Sequence, residues 1–202
     1  MKFTKKEFNE QAESIVQYFN SVGRSEWQYD KRGIMIRTCD LGEPFVNYDV
    51  DEEIIEDPDD DIVITTKQRY TFTHHILFNN SYQVPQFGLN VFDNKENKYI
   101  THQNEMIALI KSLNDGRLHG ETIPDNSDPI NMFVTFDEHP LISDLYMFFI
   151  HPCGTSKTIS TVVQNDIQDY LICYLSSYGS DVCCFENWKE VQCYLLHHRQ
   201  QQ

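Results

Sequence analysis

Residues 70–92 read Tyr70-Thr71-Phe72-Thr73-His74-His75-Ile76-Leu77-Phe78-Asn79-Asn80-Ser81-Tyr82-Gln83-Val84-Pro85-Gln86-Phe87-Gly88-Leu89-Asn90-Val91-Phe92. Tyr70, Phe72, His74, Ile76 and Phe78 alternate with Thr71, Thr73, His75 and Leu77, the period of a β-strand with one face richer in aromatics. Asn79-Asn80-Ser81 supplies turn chemistry. Tyr82 to Phe92 reads as the return strand. Pro85 interrupts it, which predicts an edge position or a bulge, because proline has no N–H to give to a ladder.

Working outward, residues 27–29 and 33–38 alternate like a second hairpin around Asp30-Lys31-Arg32-Gly33. Before it, Phe8, Ala12, Ile15, Val16 and Phe19 fall at helical spacing and predict an amphipathic helix over 4–20, ending near Gly23. After the long hairpin, 93–97 is a turn. Residues 104–113 form a short helix stopped by Asp115-Gly116, and 116–130 is a loop rich in proline and aspartate. Residues 132–136 predict a short strand, and 145–150 a buried one. A helix over 161–178 is expected to end at Gly179, a common residue just past a helix, and a last helix covers 185–198. Strands joined by short hairpins, with helices before and after, predict an α+β fold: an antiparallel sheet with helices packed on it.

The whole of 1–202 is expected to form one domain, decorated by an acidic loop at about 49–61. Nine of those thirteen residues are Asp or Glu, more than half of the formal net charge of −15. Self-repulsion and Pro58 predict a solvated loop, with docking to a basic patch as its functional alternative. So acidic a chain repels phosphate backbones and anionic lipid heads, which argues against nucleic acid and for a basic protein partner. No apolar run follows the charged N-terminus, and the apolar stretch 145–150 is too short to span a bilayer, so the expectation is a soluble, cytoplasmic protein without stable membrane insertion. Six cysteines, five of them in the last quarter, read as thiols rather than disulfides.

The chemistry concentrates at Ile150-His151-Pro152-Cys153-Gly154-Thr155. A buried strand delivers a cysteine to its end, just after a proline that stops pairing, and strand ends are where rigid scaffolds place reactive groups. A thiol must be ionised to attack. Thioester exchange asks little beyond that, because a thiolate replaces a thiolate of similar basicity. Amide hydrolysis would need a base and an acid for the leaving amine, and no such set is identifiable in the sequence. Alone, His-Pro-Cys is a weak signal, since a buried cysteine at a strand end is common.

Three clusters together carry more: Asn80-Ser81-Tyr82-Gln83-Val84-Pro85, Glu138-His139-Pro140, and His151-Pro152-Cys153 followed by Thr155. In order and approximate spacing they resemble the autophagy conjugating enzymes, and most closely the autophagy-related protein ten family. The resemblance runs from about residue 27 to 178. It implies a ubiquitin-conjugating-enzyme-like core and an acyltransferase. Such an enzyme accepts a ubiquitin-like modifier, autophagy-related protein twelve, from its activating enzyme as a thioester and passes it to a lysine of autophagy-related protein five. The resemblance places the nucleophile on Cys153. His151 matches the family histidine, and either tunes the thiol or holds the turn. Thr155 either bonds backbone or lines the site. Tyr82 either lies near the thioester or packs, and His139 reads as structural. Ordinary ubiquitin-conjugating enzymes carry a His-Pro-Asn tripeptide before their cysteine. Here cysteine takes the third place, so no Asn carries over to support an oxyanion, and backbone N–H groups after Cys153 are the physical candidate.

No cofactor is implied, because the activating enzyme spends the ATP. The alternatives are a sister enzyme that conjugates a ubiquitin-like protein to phosphatidylethanolamine, and a non-catalytic adaptor that binds the modifier. The first helix is the expected dock for the activating enzyme, and an edge near 82–92 the expected site of strand addition by the acceptor. His74-His75 are poor joint metal ligands, since neighbours on a strand point to opposite faces. Cys183, Cys184, Cys193 and His197 fit no paired zinc spacing, so no metal is expected.

Overall fold

The computed structural model describes residues 3–23, 27–41, 69–115, 134–155, 169–182 and 193–194. The elements run α1 (Lys5–Ser21), β1 (Trp27–Asp30), β2 (Ile34–Leu41), β3 (Tyr70–Asn79), β4 (Val84–Asp93), β5 (Lys98–Tyr99), α2 (Gln103–Asp115), β6 (Val134–Glu138), β7 (Tyr146–Ile150) and α3 (Tyr170–Val182). The fold is α+β. A seven-stranded sheet has the order β1-β2-β3-β4-β7-β6, with β5 paired to β4. Every pairing is antiparallel.

α1 begins where the sequence supplies a reciprocal cap: the Glu7 N–H donates to the Thr4 hydroxyl, and the Glu7 carboxylate accepts from the Thr4 N–H. Its stripe of Phe8, Ala12, Ile15, Val16 and Phe19 is buried. These side chains meet Phe72, Ile76, Phe87, Leu89, Val91, Phe148 and Ile150 from one face of the sheet, Met106 and Ile110 from α2, and Leu171 and Tyr174 from α3. Each fully buried Phe or Ile contributes about 1.5–3 kcal/mol. α1 also holds α3 directly, because the Gln11 side chain accepts the Leu171 N–H at 2.8 Å.

The opposite face of the sheet carries the alternate residues. Leu77, Met147 and Phe149 form a second, smaller apolar cluster there. Successive strand side chains point to opposite faces, and His74 and His75 obey this. His74 lies in the main core against Phe72 and Phe87, and His75 lies on the other face against His139.

Two expectations are corrected. The return strand is an edge only at its start: β4 pairs with β3 along its whole length, and on its other side with β7 at Gly88 and Leu89 and with β5 at Phe92 and Asp93. Pro85 is accommodated because it lies beyond the stretch that β7 covers. Among the described residues β1 and β6 end the strand order, and the stretch of 82–92 open to strand addition shrinks to the Val84–Phe87 end, where β4 has β3 alone as its strand partner. The helix expected to stop at Gly179 runs on to Val182. An interior glycine costs about 1 kcal/mol, less than the packing of Leu171, Ile172, Tyr174 and Leu175 returns.

The acidic loop at 49–61, the loop over 116–130 and the helix start at 161–168 lie outside the described residues. So does the helix over 185–198, apart from Cys193 and Tyr194, which are helical. Among the described residues no helix is long and apolar enough to cross a membrane.

Candidate active site

Three of the residues singled out in the sequence come together at one end of the sheet. β7 ends at Ile150, and the chain turns at once into a single 3-10 turn, Pro152–Gly154. His151 is the N-cap of that turn, and its Nδ1 accepts the Cys153 N–H at 3.2 Å. Pro152 at the first position suits this start, since its missing N–H is one the turn has no use for. The Thr155 N–H donates back to the Pro152 carbonyl. Cys153 is exposed and unpaired with any other cysteine.

The cap fixes the chemistry of His151. With Nδ1 accepting, the neutral ring carries its proton on Nε2. Neither nitrogen of that tautomer is a free base for the thiol, so the bond supports the turn-holding role of the two left open by the sequence. It also engages the amide of Cys153 itself. The Thr155 N–H, one of the backbone donors expected after Cys153, is spent on Pro152. Thr155 is 1% exposed, whereas Cys153 is exposed.

Tyr82 enters from the β3–β4 hairpin. Its ring meets His151 edge to face, with centroids 5.5 Å apart, and remains 48% exposed. The hairpin tip that presents it is held by Asn79. The Asn79 side-chain oxygen accepts from the N–H groups of Ser81 and Tyr82, and its amide donates to Gln86. Gln83 closes the turn with φ of 56°. Asn79 belongs to the site's support, and its signal in the sequence was an Asn opening a turn.

His139 does not join this group. It is buried, and its ring contacts His75 with centroids 5.1 Å apart and Phe149 at 5.9 Å. Its Nδ1 accepts the Leu141 N–H, and its own N–H donates to Leu145. His139 therefore folds the β6–β7 loop over the second face of the sheet, the structural role expected of it. Burial, then the charges of His139 and Arg32, push the His75 imidazole down to about 4. Burial and Arg32 lower His139 as well, and Asp30 opposes the shift in both. Both shifts favour the neutral imidazole.

Gly88 is the residue the sequence reading passed over. A β-carbon there would lie 2.7 Å from Phe149 Cε1, so the Phe149 ring rests over a strand position that only glycine leaves open. A glycine inside a strand is the sequence signal for such an approach.

A family model described as autophagocytosis associated protein, active-site domain, matches residues 7–189. Among solved structures, a crystal structure of the autophagic E2 Atg10 matches with a TM-score of 0.53 at 11% identity, covering 91% of this chain and 98% of that one. Solution structures of KmAtg10 match with a TM-score of 0.50 at 15% identity, covering 92% and 98%. At these identities the two structures show a shared fold. No curated protein matches by sequence.

Proposed function

The chain belongs to the autophagocytosis-associated active-site family, and from that premise we propose that it carries a ubiquitin-like modifier as a thioester on Cys153 and hands it to a lysine of an acceptor protein. Family and fold make the chain an E2-like conjugating enzyme of autophagy. The observation that carries the finer reading is the exposed Cys153 thiol, held on a one-turn helix directly after a sheet strand, with its amide capped by His151.

In the first step the Cys153 thiolate attacks the carbonyl that links the modifier's C-terminal glycine to the activating enzyme. The new carbon–sulfur bond forms at Cys153, and the activating enzyme's sulfur leaves as thiolate. In the second step the acceptor's lysine amine attacks the same carbonyl. The isopeptide bond forms, Cys153 leaves as thiolate, and the ammonium proton passes to solvent. The chain needs no cofactor of its own for either step. The modifier is taken to be autophagy-related protein twelve and the acceptor autophagy-related protein five, on the strength of the family likeness. His151 acts as a positioning residue for the thiol, and Tyr82 steadies His151 from the hairpin.

The test is a loading assay with activating enzyme, ATP and modifier, resolved on a non-reducing gel. Wild type forms an adduct that thiol reductant removes. Cys153→Ala forms none, and Cys153→Ser forms one that resists reductant. A wild type that binds the modifier without ever loading would make the chain an adaptor instead.

A further inference from the structure

Two histidines outside the proposed reaction face one another on the second face of the sheet. His75 on β3 and His139 in the β6–β7 loop are 5% and 3% exposed, and their rings touch edge to face. His75 Nδ1 and His139 Nε2 are buried and meet no hydrogen-bond partner. His139 Nδ1 is committed to the Leu141 N–H. The neutral His139 ring therefore presents an N–H from Nε2, while His75 Nδ1 serves as an acceptor in one of its two neutral tautomers. The pocket suits two uncharged imidazoles.

We propose that His75 and His139 form a proton-operated latch that keeps the β6–β7 loop closed on the sheet and opens it on mild acidification. The groups facing the pair are few among the described residues. From the β1–β2 turn come Asp30 and Arg32, which are paired with each other. From β7 comes the apolar Phe149, and from β4 the bare Gly88. The Asp30 carboxylate is engaged by Arg32, so it compensates poorly for a new cation on either ring. A protonated His75 or His139 would be a buried charge beside a second imidazole and a guanidinium, and the group escapes by leaving the pocket. What leaves is the loop, because His75 is fixed in a central strand.

The sign follows from linkage. Both rings are held below the free histidine value of about 6.5. The open state therefore binds protons that the closed state refuses, and closure is at full strength above pH 6.5 and weakens as pH falls below it. Uncovering His75, held at about 4 under the closed loop, raises the opening constant by up to about tenfold between pH 7.5 and 5.5. The same loop closes against Phe149, four residues before Cys153, so the opening reaches the strand that carries the thiol.

The experiment is amide hydrogen exchange at pH 7.5 and 5.5 on the full chain, with each rate divided by its intrinsic value at that pH. The reporters are the amides of His139 and Ile142, which bond to Leu145 and His139 within the loop. Wild type is expected to lose up to about tenfold in protection at pH 5.5. The double variant His75→Phe/His139→Asn, in which the Asn oxygen can still accept from Leu141, is expected to lose less than twofold. His74, His102 and His151 remain in it as controls. Imidazole resonances of wild type, titrated by NMR, give an answer independent of whether that variant folds: His75 and His139 must titrate below about 6.5. Equal wild-type protection at the two pH values, an equal loss in the double variant, or midpoints at or above 6.5 would each overturn the latch.

Discussion

The Nδ1 atom of His151 holds the amide N–H of Cys153, 3.2 Å away, so the side chain before the proline fixes the backbone of the residue after it. Asn is among the best N-cap residues and can accept the same N–H, whereas Ala cannot, and loss of such a cap costs about 1 kcal/mol. His151→Ala is therefore expected to slow loading of Cys153 roughly fivefold, and His151→Asn less than twofold. Single-turnover loading rates decide it. Equal losses in the two variants would mean that the imidazole does proton chemistry.

The Tyr82 and His151 rings meet edge to face, a contact of about 0.5–1.5 kcal/mol. Tyr82→Phe keeps that ring and is expected to load at the wild-type rate. Tyr82→Ala is expected to load severalfold more slowly, with little change in melting temperature, because the side chain is half exposed at a hairpin tip. If Tyr82→Phe is as slow as Tyr82→Ala, the hydroxyl rather than the ring matters.

Gly88→Ala pushes a methyl group into the Phe149 ring, with the β-carbon 2.7 Å from Cε1. Overpacking of this kind costs about 1–3 kcal/mol. The variant is expected to melt several degrees lower, and a second change, Phe149→Leu, to restore part of the loss by removing the ring. Calorimetry on the single and double variants checks this, and an unchanged melting temperature for Gly88→Ala would refute it.

Gln11→Ala leaves the Leu171 N–H at the start of α3 without its acceptor. The expected cost is about 1 kcal/mol. Gln11→Glu keeps an acceptor and adds negative charge at a helix N-terminus, which is favourable. Urea midpoints should therefore order as Glu at or above wild type, and Ala below. A fall for Glu as large as that for Ala would mean that the link between α1 and α3 is packing alone.

Much of the architecture could be read from local pattern. The period of two over 70–78 and the Asn79-Asn80-Ser81 turn located the long hairpin. The apolar spacing from Phe8 to Phe19 located α1, and the cluster at 145–150 located the strand that ends at the site. Which strand lies beside β4 could not be read that way. β7 reaches it across more than fifty residues of sequence, and Pro85 signals only where a ladder is incomplete, not which side is open. The end of α3 was misjudged because Gly179 reports local cost, while the helix is sustained by tertiary contacts. At the site, Cys153 and Tyr82 came from motifs. The cap between His151 and Cys153 needed coordinates, because one His-Pro-Cys tripeptide permits either a base or a brace.

β7 shares only two rungs with β4, Gly88 with Phe149 and Leu89 with Phe148. The run Met147-Phe148-Phe149-Ile150 is apolar throughout, so its own pattern names no inner and outer face, and a slip of one residue would exchange them. The space above Gly88 supplies part of the missing instruction. It receives the Phe149 ring, and so disfavours a slip that would bring Ile150 to the Gly88 rung. A slip would carry the thiol about 3.3 Å along the sheet. The address of Cys153 is written in part by a residue with no side chain, on a different strand.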